Sequence, residues 1–173
     1  AALTRAYGVP AKAVGDAIAS FKLDGHRIEL VLESAGISWI DDSKATNPHA
    51  ALASLESFES VVWLVGGLLK GVDISSLVKK VASRLKAAVV IGVDRTEVLA
   101  ALAKFAPNVP LIEIGDGEDV MARAVSAASG LASEGDTVLL APSSASMDQF
   151  KDYADRGNQF AAEVVRQHGV ADA

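Results

Sequence analysis

Apolar positions recur along this chain in two rhythms, and the change between them outlines the fold. Near the start, Val14, Ala17, Ile18 and Phe21 fall at helical spacing behind Pro10, which suits a first helical turn, so a helix is predicted over about Ala11–Phe21. A shorter helical piece, Ala1–Tyr7, precedes it and is punctuated by Gly8-Val9-Pro10. Leu23–Arg27 then turns into a strand over Ile28–Glu33, in which Ile28, Leu30 and Leu32 alternate with Glu29, Val31 and Glu33. The turn Ser34-Ala35-Gly36 leads to Ile37–Ile40, and the pair reads as an antiparallel hairpin.

From there strand, loop and helix repeat. Helices are predicted over Pro48–Leu55, Ile74–Leu85, Thr96–Phe105, Gly117–Ala132 and Ala154–His168, and strands over Val61–Val65, Ala87–Gly92, Leu111–Ile114 and Thr137–Ala141. Unbroken apolar strands such as Val61–Val65 require a sheet covered on both faces. The expected class is therefore α/β: a mostly parallel six-stranded sheet with one antiparallel strand, helices on both faces, and function at the carboxyl ends of the strands.

Composition narrows this picture. At 173 residues the chain suffices for one well-packed domain burying roughly 70% of its unfolded surface. A net charge of −6 and a pI near 5.0 argue against a nucleic-acid surface, which needs clustered Lys and Arg. With no Cys, disulfides, thiolate chemistry and Cys-based zinc sites are all excluded, which suits a reducing compartment. No apolar run approaches the roughly 18 residues that span a bilayer, and no membrane contact is expected. Ala1–Tyr7 reads as a helix cut open at its front. Residues 1–24 are accordingly expected to be the end of a preceding domain with its connector, and residues 25–173 a C-terminal domain.

Candidate chemistry gathers where strands run out into polar loops. In Asp41-Asp42-Ser43-Lys44-Ala45-Thr46-Asn47 the aspartates can cap or accept, Lys44 can reach a phosphate, and Thr46 or Asn47 can bind a carboxylate or cap the next helix. Gly66-Gly67-Leu68-Leu69-Lys70 is not a P-loop; the glycines can serve simply to turn the chain, and Lys70 can be a point charge for an anion. Pro142–Tyr153 reads as a Ser-rich loop with Asp148 as a cap. These three loops follow strands at one edge and can converge. The three histidines, His26, His49 and His168, suggest no Ser-His-Asp triad.

Two of these stretches carry a resemblance. Asp42-Ser43-Lys44-Ala45-Thr46-Asn47 resembles the signature of the UDP-N-acetylmuramoyl-L-alanine:D-glutamate ligases, the D-glutamate-adding branch of the Mur ligase family; other Mur ligases and the folylpolyglutamate synthetases continue differently after the Asp. Ala141–Phe160 is similar to the same ligases' segment from last strand to last helix, and His26-Arg27 to the pair that opens the domain.

The resemblance implies a Rossmann-like C-terminal domain of a cytoplasmic, monomeric, ATP-dependent amide-forming ligase of peptidoglycan synthesis. Thr46, Lys70, Ser146 and Tyr153 would hold D-glutamate, while Arg27, Asp42 and Lys44 would approach the nucleotide: Asp42 at the ribose, Arg27 at the nucleoside end, and Lys44, the catalytic candidate, at a terminal phosphate. ATP would come with Mg2+, whose ligands, like the phosphate-binding loop and the UDP-N-acetylmuramoyl-L-alanine site, belong to preceding domains; no metal ligand is expected here. The domain would then be inactive alone.

Three positions depart from the family pattern. Asp41 stands where Asn is frequent, Asp152 where some members have Asn, and Tyr153 where Phe is common, so Tyr153 is expected to act through its backbone and ring face. Asp152 would repel a dicarboxylate unless it points away. The alternatives are another Mur-type or folylpolyglutamate-type ligase domain, or a stand-alone ligand-binding module of the same shape.

Overall fold

A computed structural model describes residues 2–20 and 24–169. Two short helices, α1 (Ala2–Ala6) and α2 (Ala11–Ser20), come first and bury no residue, as a connector would. The predicted end of α2 at Phe21 lies outside the described residues. The remaining elements are β1 (Glu29–Ser34), β2 (Ile37–Asp41), α3 (Pro48–Glu56), β3 (Val61–Gly66), α4 (Ser75–Val81), β4 (Leu85–Ile91), α5 (Thr96–Phe105), β5 (Leu111–Glu113), α6 (Val120–Leu131), β6 (Thr137–Leu140) and α7 (Tyr153–His168).

The six strands form one sheet in the order β1-β2-β6-β3-β4-β5, parallel throughout except that β1 pairs antiparallel with β2. This is the predicted architecture. Period-two alternation divides the central strands between two cores. Val61, Trp63 and Val65 of β3 join Ala51, Leu55, Leu77, Val78 and Val98 from α3, α4 and α5 on one face. Val62 and Leu64 join Met121, Val125, Phe160 and Val164 from α6 and α7 on the other.

Most boundaries shift by a residue or two from the sequence reading, and four differences have a local reason. Helix α4 stops at Val81 rather than Leu85, because a 3-10 turn over Ala82–Arg84 delivers Leu85 into β4 opposite Val61. Helix α6 begins at Val120 rather than Gly117, since Asp119 sits in the left-handed region at φ 57°. In β1 the alternation breaks: Ile28 is left-handed (φ 46°) and outside the strand, the register shifts between Leu30 and Leu32, Leu30 faces solvent, and Val31 and Leu32 both pack toward α7. Asp152, not Asp148, caps α7 by accepting from the Asp155 N–H at 2.8 Å. That contact spends the Asp152 carboxylate on the helix.

Gly66 ends β3 at φ 115°, and a Cβ there would lie 2.1 Å from the Ile91 carbonyl oxygen of the neighbouring strand. Gly66→Ala is expected to destabilise the domain by about 3 kcal/mol through combined backbone strain and collision with a fixed strand, read as a lower denaturation midpoint at unchanged m-value.

Candidate functional site at the carboxyl ends of the strands

Chain connectivity fixes where a site can form. β2 and β3 lead into α3 and α4 on one face of the sheet, while β6, lying between them, leads into α7 on the other. Strands whose connections leave to opposite faces open a crevice at their carboxyl ends. The three loops bordering it are the three singled out in the sequence.

Hydrogen bonds stitch these loops together. Ser143 N–H donates to Ala45 O at 2.9 Å, joining the β6 loop to the β2 loop. Leu68 and Ala145 exchange both backbone bonds, at 2.8 and 3.2 Å, joining the β3 loop to the β6 loop. Beneath them the fully buried Arg156 of α7 donates from Nε to Ser43 Oγ (2.9 Å) and from Nη2 to the carbonyls of Ser43 (2.9 Å) and Ser144 (3.2 Å). Burial pushes its pKa down to about 10, with Asp148 and Asp41 opposing the shift. Ser43 Oγ–H donates in turn to Tyr153 O at 2.7 Å.

Around this knot the candidates fall into two groups. Arg27, Asp42 and Lys44 line one cleft of about 530 Å³ together with Ile28, Ala45 and Ala50. Asp42 is buried there, accepting from the Ser54 hydroxyl and from Ile28 N–H at 3.3 Å; desolvation raises its pKa above the ordinary 3.8 despite these bonds. Lys44 Nζ pairs with Asp24 at 2.7 Å and lies 5.3 Å from the centre of the Tyr153 ring. The hydrogen bond from Lys44 to Asp24 raises the lysine's pKa and lowers the aspartate's.

Thr46 adjoins the Ala45 stitch and Ser146 the Ala145 stitch. Lys70, in the left-handed region at φ 54°, is exposed two residues beyond Leu68. Of Thr46, Ser146 and Lys70, Lys70 alone lines the cavity of about 610 Å³ that it shares with Leu68, Asp94, Glu97 and Asp148. Tyr153 engages through its carbonyl and ring face. Asn47 caps α3 by accepting from Ala50 N–H at 3.0 Å. A larger surface depression of about 710 Å³ lies on α6 and α7, lined by none of the candidates. Among the described residues no three His, Asp or Glu side chains are grouped to hold a metal.

Sequence reasoning missed the structural weight of two residues. Arg156 belongs to a recognised motif, yet nothing local announces that its guanidinium bridges two loops. His26 was one member of a weak dipeptide, and its Nδ1 lies 2.6 Å from Asp41 Oδ2.

A family model described as Mur ligase, glutamate ligase domain, matches residues 26–144. The chain belongs to this family. Among relatives of this Mur ligase domain, the UDP-N-acetylmuramoylalanine--D-glutamate ligase of Leifsonia xyli subsp. xyli is 57% identical over 94% of this chain and 32% of its own length. The ligase of the same name from Mycobacterium avium is 48% identical over 95% of this chain and 39% of its own. The chain thus spans about a third of the relatives it matches. The crystal structure of UDP-N-acetylmuramate-alanine ligase from Thermotoga maritima shares the fold, with a TM-score of 0.62 at 14% identity over 96% of this chain and 36% of that one.

Two outcomes are expected from this geometry. Arg156→Ala should cost about 3–5 kcal/mol in chemical denaturation, and Arg156→Lys should recover less than half, because an ammonium cannot fork among Ser43 Oγ, Ser43 O and Ser144 O. Because Asp42 has a raised pKa in the fold, it disfavours folding increasingly as pH rises from its ordinary value through the raised one. Asp42→Asn, whose Oδ1 can still accept from Ile28 N–H while its NH2 donates to Ser54 Oγ, should therefore be more stable than the parent by about 1 kcal/mol at pH 7 and indistinguishable from it near pH 3, read from paired melts.

Proposed function

We propose that this chain is the C-terminal domain of an ATP-dependent ligase that adds D-glutamate to UDP-N-acetylmuramoyl-L-alanine. The observation that carries the reading is the convergence of the Asp42–Asn47, Gly66–Lys70 and Ser143–Tyr153 loops on one rim in a domain 57% identical to a ligase of that name. The proposed reaction joins the substrate carboxylate to the terminal phosphoryl group of ATP, and the amine of D-glutamate then displaces phosphate to form the amide, leaving ADP.

The cleft lined by Arg27, Asp42 and Lys44 suits a nucleotide chemically. Its alanines and Ile28 offer an apolar wall to a base, Asp42 an acceptor for ribose hydroxyls, and Lys44 a cation for phosphate. Lys44, as the catalytic candidate, would neutralise charge at the transferring phosphoryl group. Mg2+ would be carried by the phosphates and held mainly by residues outside this chain. Thr46, Ser146 and Tyr153, with Lys70 as counter-charge, would hold the two carboxylates of D-glutamate and so aim its amine. We place the working enzyme in the cytoplasm, as a monomer that touches neither nucleic acid nor membrane. The domain division at about residue 24 follows the same reading: α1 and α2 bury nothing, as expected of a connector from a preceding domain.

Amide-resonance titrations test the assignment. D-glutamate should shift the signals of Thr46, Lys70 and Ser146, and Lys70→Ala should weaken that binding at least tenfold; ATP should shift Arg27, Asp42 and Lys44. Shifts confined to the α6–α7 surface would refute it. The purified chain alone should hydrolyse no ATP in the presence of D-glutamate, and measurable turnover would contradict the division of labour between domains.

A further inference from the structure

The backbone around Arg27 is held in an unfavourable form. His26 (φ 63°) and Ile28 (φ 46°) both occupy the left-handed region, where a β-branched residue such as Ile28 is rare, and Arg27 lies between them. Such a turn persists only where its surroundings over-determine it. Four contacts do so: His26 N–H donates to Glu29 Oε2 at 2.8 Å, Lys44 N–H to His26 O at 3.2 Å, Ile28 N–H to Asp42 Oδ1, and the His26 ring meets Asp41.

The last contact is the most elaborately built. Asp41 is 1% exposed; its Oδ1 accepts from Ser43 N–H at 2.8 Å and its Oδ2 from His26 Nδ1. A carboxylate only accepts, so the imidazole carries its proton on Nδ1. Helix α7 makes room for the pair with Gly157, whose missing Cβ would lie 2.2 Å from His26 Nδ1 and 2.7 Å from Asp41 Oδ2. Glycine inside a helix weakens it, so the helix forgoes stability where the pair sits. Two left-handed residues, a buried carboxylate and a helix-interior glycine thus converge on one imidazole.

We propose that Asp41 and His26 form a positioning pair that locks the left-handed turn 26–28 and thereby directs Arg27 into the cleft it shares with Lys44. The consequence is selective: Asp41, although it also accepts from Ser43 N–H, acts on nucleotide affinity far more than on D-glutamate affinity. This rests on the nucleotide reading of that cleft given above, and the test separates the two.

The test uses the 173-residue chain, with ATP and D-glutamate as probes and amide hydrogen exchange as a readout that needs neither. Asp41→Ala should weaken ATP binding at least about tenfold, leave D-glutamate binding within about twofold, and accelerate exchange at the Ile28 and Lys44 amides. Gly157→Ala, which inserts a methyl group without altering any charge, should reproduce all three effects. Asp41→Asn should restore ATP affinity to within about threefold, because its amide can still accept from Ser43 N–H and bond the imidazole. ATP binding equally to the parent, Asp41→Ala and Gly157→Ala overturns the proposal while the nucleotide cleft stands. Equal loss of ATP and D-glutamate binding in Gly157→Ala also overturns it, by showing a general structural role. Failure of ATP to shift Arg27 in the parent chain overturns the nucleotide reading and, with it, the selectivity proposed here.

Discussion

The arrangement of the rim depends on one buried cation. Arg156 has no carboxylate within hydrogen-bonding distance; Nε and Nη2 of its guanidinium bond one hydroxyl and two carbonyls belonging to loops 113 and 12 residues away, while the buried Nη1 has no partner among the described residues. A charge in that position is held at a desolvation cost, which is why its pKa falls, and the return is geometric. The planar fork fixes the separation of the β2 and β6 loops as no apolar side chain could. Ser43 extends the fixation to the first residue of α7 by donating to Tyr153 O, so the helix, the Lys-bearing loop and the Ser-rich loop share one set of bonds.

Beside that knot lies a second unfavourable placement, the buried pair of adjacent carboxylates Asp41 and Asp42. Asp41 ends β2 and Asp42 opens the loop beyond it, and the two meet different partners: Asp41 serves His26 and Ser43, Asp42 serves Ile28 and Ser54. Each aspartate ties residues 26–28 to the end of β2. The desolvated Asp42 and the strained turn are both local violations of stability rules. Their concentration within one cleft, against an otherwise orderly pair of cores, is the pattern expected where function sets the sequence.

The fold was legible because parallel strands buried on both faces must be continuous apolar runs, and the runs at Val61–Val65 and Thr137–Ala141 have no other use. Helix α5 was bounded correctly at Thr96–Phe105, where a polar start and an apolar stripe coincide. The misplaced ends were those decided by tertiary geometry: Leu85 reads as a helical residue until the sheet claims it, and nothing in the sequence announces that Asp119 adopts a left-handed backbone. At the site, the convergence of three loops could be anticipated from topology alone. The roles of Arg156 and His26 could not, since each depends on partners 113 and 15 positions away that no periodicity links.

Lys44 and Asp24 show how such a rim can stay receptive in an acidic protein. The net charge of −6 would repel a polyanion at long range, so local cations must be available without being buried in strong pairs. Lys44 pairs with an aspartate that is 70% exposed, in a contact screened by solvent and therefore weak. On the proposed reading, an incoming phosphate exchanges one oxyanion for another at the same ammonium, and Asp24 returns to water beside the connector. Arg156 represents the opposite solution, a cation sealed by burial and unable to exchange partners. The division between a sealed cation that builds the rim and a half-buried one whose exposed partner can leave follows directly from where each side chain meets water.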